Sequence, residues 1–287
     1  MEKSIKLVVC DLDNTLYDWV GYFVPALYAL VERAANILDV KQDVLLEDLK
    51  KVHQKHHDSE HPFALIETDI VQSRFKNFDR KQLFETFDEA FYAFNSIRKS
   101  NLNVYSGVYS TLDKLIRENV CIIAHTESKL HSVVDRLTRL ELTDYFSSIY
   151  CRERSSVSHP IPDYEWRSYN EFPMGKIFEL SKHQRKPNVS VLKEICSRQG
   201  FELKETAYVG DSISRDILMA NEADVFSIWA KYGASHREGV YEKLVRVSHW
   251  TEDDVMREIE LKKRAASVRP DFIAERSFEE ILEALDF

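Results

Sequence analysis

Glycine and proline are scarce, seven of each in 287 residues, so long structureless linkers are not expected. Cysteine is scarce too. Cys10, Cys121, Cys151 and Cys196 are scattered, form no CxxC pair, and three of them lie within or beside apolar stretches. That pattern reads as buried free thiols in a reducing cytosol. No apolar run approaches the length of a membrane span, and the apolar part of "MEKSIKLVV" is too short for a signal peptide. Basic residues are outnumbered, 39 Lys and Arg against 48 Asp and Glu, a formal charge of −9. This balance argues against a general binder of nucleic-acid backbones. What remains, at 44% hydrophobic and 30% charged residues, is an ordinary cytoplasmic globular chain long enough for one large domain or two of usual size.

Against that plain background one stretch stands out. "KLVVCDLDNTLYDWV", residues 6–20, begins as a greasy strand and then sets Asp11 and Asp13 directly after it. Carboxylates so close at the end of a buried strand repel each other, and desolvation worsens the repulsion. Strand-end turn forming is the plain alternative for two aspartates. The apolar context and the other residues described below favour chemistry.

From residue 103 onward, strand-like and helix-like segments alternate. "VCIIA" (120–124), "FSSIY" (146–150), "TAYVG" (206–210), "VFSIW" (225–229) and "PDFIA" (270–274) read as strands. "KLHSVVDRLTRL" carries Val133, Val134, Leu137 and Leu140 at helical spacing, and "NVSVLKEICSRQG" ends on Gly200. "RDILMANEA" reads as a further helix, and "SFEEILEAL" as a last one opened by a capping box of Ser277 and Glu280. The fold class this implies is α/β, a Rossmann-like parallel sheet with helices on both faces and reacting groups at the carboxyl ends of the strands. Residues 17–101 differ. Nothing there reads as a strand, and Phe84, Phe87, Phe91 and Phe94 make the core stripe of a helix in an all-helical insert. Two excursions follow, a polar and aromatic one at 151–176 and one at 232–265 with two extra helices, the second opening on a Thr251 and Asp254 capping box.

Other strand ends add to Asp11 and Asp13. His125 and Thr126 follow "VCIIA", Lys186 precedes a proline in "RKP", and Asp211 and Asp216 stand in "DSISRD" after "TAYVG". In this order, "DLDNT", a hydroxyl residue after an apolar strand, "KP" and "VGDSISRD" resemble the four motifs of the haloacid dehalogenase-like (HAD) hydrolase superfamily. The resemblance spans roughly the whole chain. It implies a catalytic core of residues 1–16 and 102–287 with a helical cap domain at 17–101.

It also implies a mechanism. A Mg2+ cofactor would be held by Asp11, Asp211, the backbone carbonyl of Asp13 and, directly or through water, Asp216. Asp11 would be the nucleophile that forms an aspartyl-phosphate, Asp13 the general acid and then base, Thr126 a phosphate ligand, and Lys186 the cation holding both phosphate and Asp11. The expected substrate is a small phosphorylated metabolite. A phosphomutase, a haloacid dehalogenase and a non-catalytic binding module are the rival readings.

Residue by residue, plainer roles stay open. Thr126 suits a helix N-cap, and Lys182 and Arg185 compete with Lys186. Glu127 departs from the family, which often has asparagine after the motif-two hydroxyl. "VHQKHHDSEHP" brings His53, His56, His57 and His61 to spacings that suit a metal, but with no carboxylate pattern to complete a site it reads as a solvated, charged helix end.

Overall fold

The computed structural model describes residues 4–154, 160, 172–234 and 239–287. Seven strands form one sheet: β1 (Leu7–Cys10), β2 (Cys121–Lys129), β3 (Ser148–Arg152), β4 (Ile177–Leu180), β5 (Thr206–Gly210), β6 (Phe226–Ala230) and β7 (Phe272–Ala274). Their order is β4-β3-β2-β1-β5-β6-β7 and every pairing is parallel. The apolar segment 7–10 is buried on both faces, as a central parallel strand requires. Val8 and Cys10 join one apolar layer while Leu7 and Val9 join the other. The chain lays β2, β3 and β4 to one side of β1 and then crosses to begin β5 on the other. The strand order therefore reverses between β1 and β5, where open α/β sheets place their ligands.

Between β1 and β2 the chain is helical, as its periodicity predicts: α1 (Trp19–Leu38), α2 (Gln42–His56), α3 (Asp69–Arg74), α4 (Arg80–Thr86), α5 (Asp88–Asn101) and α6 (Val108–Arg117). The phenylalanine stripe is a core stripe, with Phe87 and Phe91 buried and Phe84 stacked on Phe91 at 5.1 Å. The chain leaves and re-enters the sheet side by side, Tyr105 N donating to Leu16 O at 2.9 Å.

After β2 come α7 (Leu130–Arg139), α8 (Val189–Gln199), α9 (Leu218–Glu222), α10 (Lys231–Ala234), α11 (Val240–Val247) and α12 (Glu252–Arg264). Asn188 caps α8 through its side chain, and Gly200 closes it in the left-handed region at φ 78°. The Thr251 and Asp254 capping box forms.

Four expectations need correction. The segment "SFEEILEAL" is a 3-10 helix (Phe278–Glu283), and Ser277 makes no side-chain cap. Glu280 instead accepts from the backbone N–H of Glu275 at 2.6 Å, which takes it away from the helix start. Strand β4 lies at 177–180, beyond the stretch taken as an excursion, because the pairing of Ile149 with Ile177 supplies an order that local pattern did not. "FSSIY" is displaced by two residues to Ser148–Arg152, and β2 runs on past Ala124 to Lys129 with a register irregularity after His125. "RDILMANEA" begins not as α-helix but as a π-turn (Ile213–Ile217) before α9. Much of the 151–176 excursion lies outside the described residues.

α11 and α12 form a bridge. The first leans on the helical insert, where Tyr28 Oη donates to Lys243 O at 3.3 Å and His53 Nδ1 lies 2.7 Å from Val247 O. The second leans on loops beside the sheet, with Arg257 donating to Lys186 O at 2.6 Å and Glu258 accepting from Arg215 at 2.7 Å.

Candidate active site

The first aspartate after β1 points into a cluster of charged residues, and the backbone after it explains how. Asn14 takes the left-handed region at φ 57°, which asparagine tolerates, and turns the chain back. Thr15 then donates to Asp11 Oδ2 at 3.2 Å. Across the order reversal, β5 ends on Gly210 and delivers Asp211. A Cβ on Gly210 would lie 2.4 Å from Asp216 Cγ, so only glycine lets that carboxylate pack against the strand end. The π-turn aims Asp216 inward, a usual place for such a bulge. Oxygen atoms of Asp11, Asp211 and Asp216 lie within 4.8 Å of one another.

Lys186 resolves part of this crowding. Its Nζ lies 2.6 Å from Asp11 Oδ1 and 2.8 Å from Asp216 Oδ1, with the side chain 2% exposed. Burial disfavours its charge, but the two carboxylates hold its pKa well above the ordinary lysine value. The rival cations are elsewhere: Arg185 pairs with Asp254 at 3.0 Å, and Lys182 is exposed.

One lysine does not balance three acids. Burial, with Asp216 and Asp13 adding to it against Lys186, pushes Asp11 up to about 7. Burial and the charges of Asp11 and Asp216 push Asp211 well above the carboxylate range. An all-oxygen set short of positive charge suits a hard divalent cation such as Mg2+. Asp216 is the most engaged of the three, accepting from Lys186, from Tyr208 Oη at 3.3 Å and from Ser212 N at 3.1 Å. That leaves Asp11 and Asp211 best able to turn an oxygen toward an ion.

Asp13 stands apart from this group. It accepts from the Ser128 hydroxyl and lies 3.4 Å from Arg136 Nη2. Arg136 is 1% exposed and also grips Glu60 at 2.9 Å and Tyr22 Oη at 2.7 Å, both on the helical insert. Thr126 Oγ1 accepts from Ser128 N at 3.1 Å, so its own hydroxyl proton is available to an anion. It is no N-cap: α7 starts four residues later, capped at Lys129. His125 is buried beside Tyr208 Oη at 3.2 Å, and burial, with Lys186 nearby, holds it neutral.

The structure thus brings Asp11, Lys186, Asp211 and Asp216 into one cluster and ties Asp13 and Thr126 to each other through Ser128. A profile of the haloacid dehalogenase-like hydrolases matches residues 5–224, and a second, HAD-hydrolase-like profile matches 183–276. The chain belongs to the haloacid dehalogenase-like hydrolases. It is 27% identical to the phosphoglycolate phosphatase of Agrobacterium fabrum over 230 residues, covering 79% of this chain and 81% of that one. It is 24% identical to the glyceraldehyde 3-phosphate phosphatase of Methanopyrus kandleri over 233 residues, 80% and 85% of the two chains. Among solved structures, the 2-haloacid dehalogenase of Pseudomonas syringae superposes with a TM-score of 0.54 at 19% identity, covering 97% of each chain, a likeness of fold.

In this HAD hydrolase the departure at Glu127 has a structural reason. Its carboxylate accepts from Lys186 N at 3.0 Å, so it holds the lysine's backbone. With Arg257 on the carbonyl, both backbone polar groups of Lys186 are tied down. Arg136 is the site residue that motif reading missed. A signal exists: position 136 falls within the apolar stripe of α7, three residues after Val133 and four before Leu140, where an arginine needs a buried partner.

Proposed function

We propose that this HAD hydrolase is a Mg2+-dependent phosphatase of small phosphate monoesters, working through an aspartyl-phosphate on Asp11. The observation that carries the reading is Lys186 Nζ bridging Asp11 and Asp216 beside Asp211. Phosphoryl transfer needs charge neutralised around the moving group and the attacker held in line. Mg2+, held by Asp11 and Asp211 with the Asp13 carbonyl, supplies that neutralisation when bound. Lys186 and Thr15 orient the Asp11 carboxylate, whose free lone pair attacks phosphorus. Thr126 donates to a phosphate oxygen, and Lys186 shares its charge with the phosphate. Asp13, oriented by Ser128 and Arg136, protonates the leaving alkoxide and then takes a proton from the hydrolytic water. The two phosphatase relatives support a small substrate, and the buried thiols support a cytoplasmic setting.

The deciding experiment is a panel of phosphate esters and 2-haloacids with protein stripped by EDTA and then resupplied with metal. Mg2+ is expected to raise thermal stability and switch on phosphate release, with Ca2+ a poor substitute because of its looser geometry. Equal phosphate release with and without Mg2+ overturns the metal assignment. Halide release in place of phosphate release, or transfer of phosphate to a second sugar hydroxyl, shifts the reading to dehalogenase or mutase.

We also propose that residues 17–101 act as a cap, closing on the sheet to exclude water and read the leaving group. Glu60 and Tyr22 reaching Arg136 at the site support this. So does the contact of α11 with α1 and α2, which should carry 239–250 along with the insert. A phosphate mimic with Mg2+ is expected to slow hydrogen exchange across both segments. Unchanged protection there with the mimic verifiably bound counts against a cap.

A further inference from the structure

The histidine cluster of the insert does not form the solvated helix end expected of it. His53 and His61 are buried, and only His57 among the four is exposed. His53 turns away to the Val247 carbonyl. The other two converge on a residue that local sequence did not connect to them. His56 Nε2 lies 2.8 Å from one oxygen of Glu67 and His61 Nε2 lies 2.9 Å from the other. The two imidazoles are stacked at 3.5 Å with their planes 8° apart. Eleven residues separate His56 from Glu67, and the 3-10 turn Ala64–Glu67 is what brings the carboxylate round.

His56 and His61 aim both Nε2 atoms at one carboxylate, and with it make a donor set of two imidazole nitrogens and a carboxylate oxygen within 4.8 Å of one another. We propose that His56, His61 and Glu67 form a second metal site, one that takes a borderline divalent cation of the Zn2+ class. Imidazole nitrogen selects such ions over Mg2+, and two histidines with one carboxylate leave a further position open. Four-coordinate Zn2+ with bonds of about 2.0–2.1 Å spaces its ligand atoms by roughly 3.3 Å, so each contact with Glu67 must open by about half an ångström and the stacked rings must splay to aim both lone pairs at the ion. Ligation through Nε2 puts each ring proton on Nδ1. His61 Nδ1, on a side chain with 0% exposure, has no hydrogen-bond partner among the described residues and can carry it.

The position gives the site a consequence. Lys129, at the end of β2, donates to His56 O at 3.2 Å and pairs with Asp58 at 3.4 Å, while Glu60 on the same loop grips Arg136. An ion here would fix the shape of residues 56–67, the loop that makes these contacts with Lys129 and Arg136.

The test uses the full chain, stripped of metal and then held in excess Mg2+ so that the oxygen-only site is filled. Titration with Co2+ should give one equivalent of a strong visible absorption band of low-coordinate cobalt, displaced by Zn2+. Octahedral cobalt on oxygen ligands absorbs weakly and competes with Mg2+, so the two sites are distinguishable. In H56A and in E67Q the Co2+ affinity should fall on the order of 100-fold or more, at least the loss that follows removal of an outer-shell partner. Circular dichroism of the metal-free variants checks that each is folded, and E67Q keeps the size of the side chain should H56A not be. No cobalt band in Mg2+, or an equal band in wild type and in a folded variant, overturns the site. Failure of phosphatase activity leaves this outcome untouched, since the readout is metal binding.

Discussion

D13N is expected to release one burst of nitrophenol from p-nitrophenyl phosphate and then stall with phosphate trapped on Asp11. The general acid contributes about 10²–10⁴ in rate where the leaving alkoxide is strongly basic. An alkyl phosphate should therefore lose its first step in full. Nitrophenolate leaves without a proton, so that step survives, while hydrolysis of the aspartyl-phosphate loses its base. The structure makes Asp13 the residue to separate from the rest: it pairs with Arg136 and Ser128, whereas Asp11 and Asp216 pair with Lys186. D11N, which removes the nucleophile, should abolish turnover of every ester with no burst. Rapid-quench kinetics with labelled ester reads both variants. Equal losses of D13N on alkyl and aryl esters, with no burst and no trapped phosphate, would remove Asp13 from proton transfer.

K186M should be the most destabilising of the site substitutions and should lose turnover as well. Its ammonium is the cation that Asp11 and Asp216 share in the described structure. Removing one partner of a buried pair costs about 3–5 kcal/mol, because the charge left behind has no compensation. A fall in Tm on the order of ten degrees follows at neutral pH in the metal-free protein.

The pH dependence has a definite sign. Unfolded aspartate titrates at about 4, whereas burial holds folded Asp11 up at about 7. Between those values the folded state binds more protons than the unfolded one, so stability of the metal-free wild type should fall as pH rises from 4 to 7. Lys186 draws Asp11 and Asp211 down, so without it both titrate higher still. The deficit of K186M should then be largest at pH 8 and shrink toward pH 5, where protonation removes the uncompensated charge. Mg2+ should flatten the slope in wild type. Thermal melts at four pH values in EDTA decide this, and a deficit independent of pH would mean that Lys186 acts through packing and not through charge.

Much of this was legible in the order of residues. A continuous apolar run followed by DxDxT, and a later one followed by GDS and a further aspartate, specify strands that end in carboxylates. The alternation of strand and helix then implies parallel pairing, and parallel pairing collects strand ends on one edge. Local chemistry sufficed because each motif sits where its own strand stops. The helical nature of 17–101 was equally local, a matter of apolar spacing.

Tertiary structure decided what depends on partners distant in sequence. Which cation near 186 reaches Asp11 was settled by Glu127 and Arg257 holding the backbone of Lys186 and by Asp254 drawing Arg185 away. Strand β4 is paired along the edge of β3, and its own four residues are too short a run to be read as a strand alone. Glu280 left its capping box for the backbone N–H groups of Glu275 and Arg276. Arg136 and Glu67 gained their roles in the same way, one from acids on two different elements and the other from a turn that faces it toward two histidines. Periodicity and motif report the preferences of a segment, but a buried charge takes its meaning from whatever the fold places within a few ångströms of it.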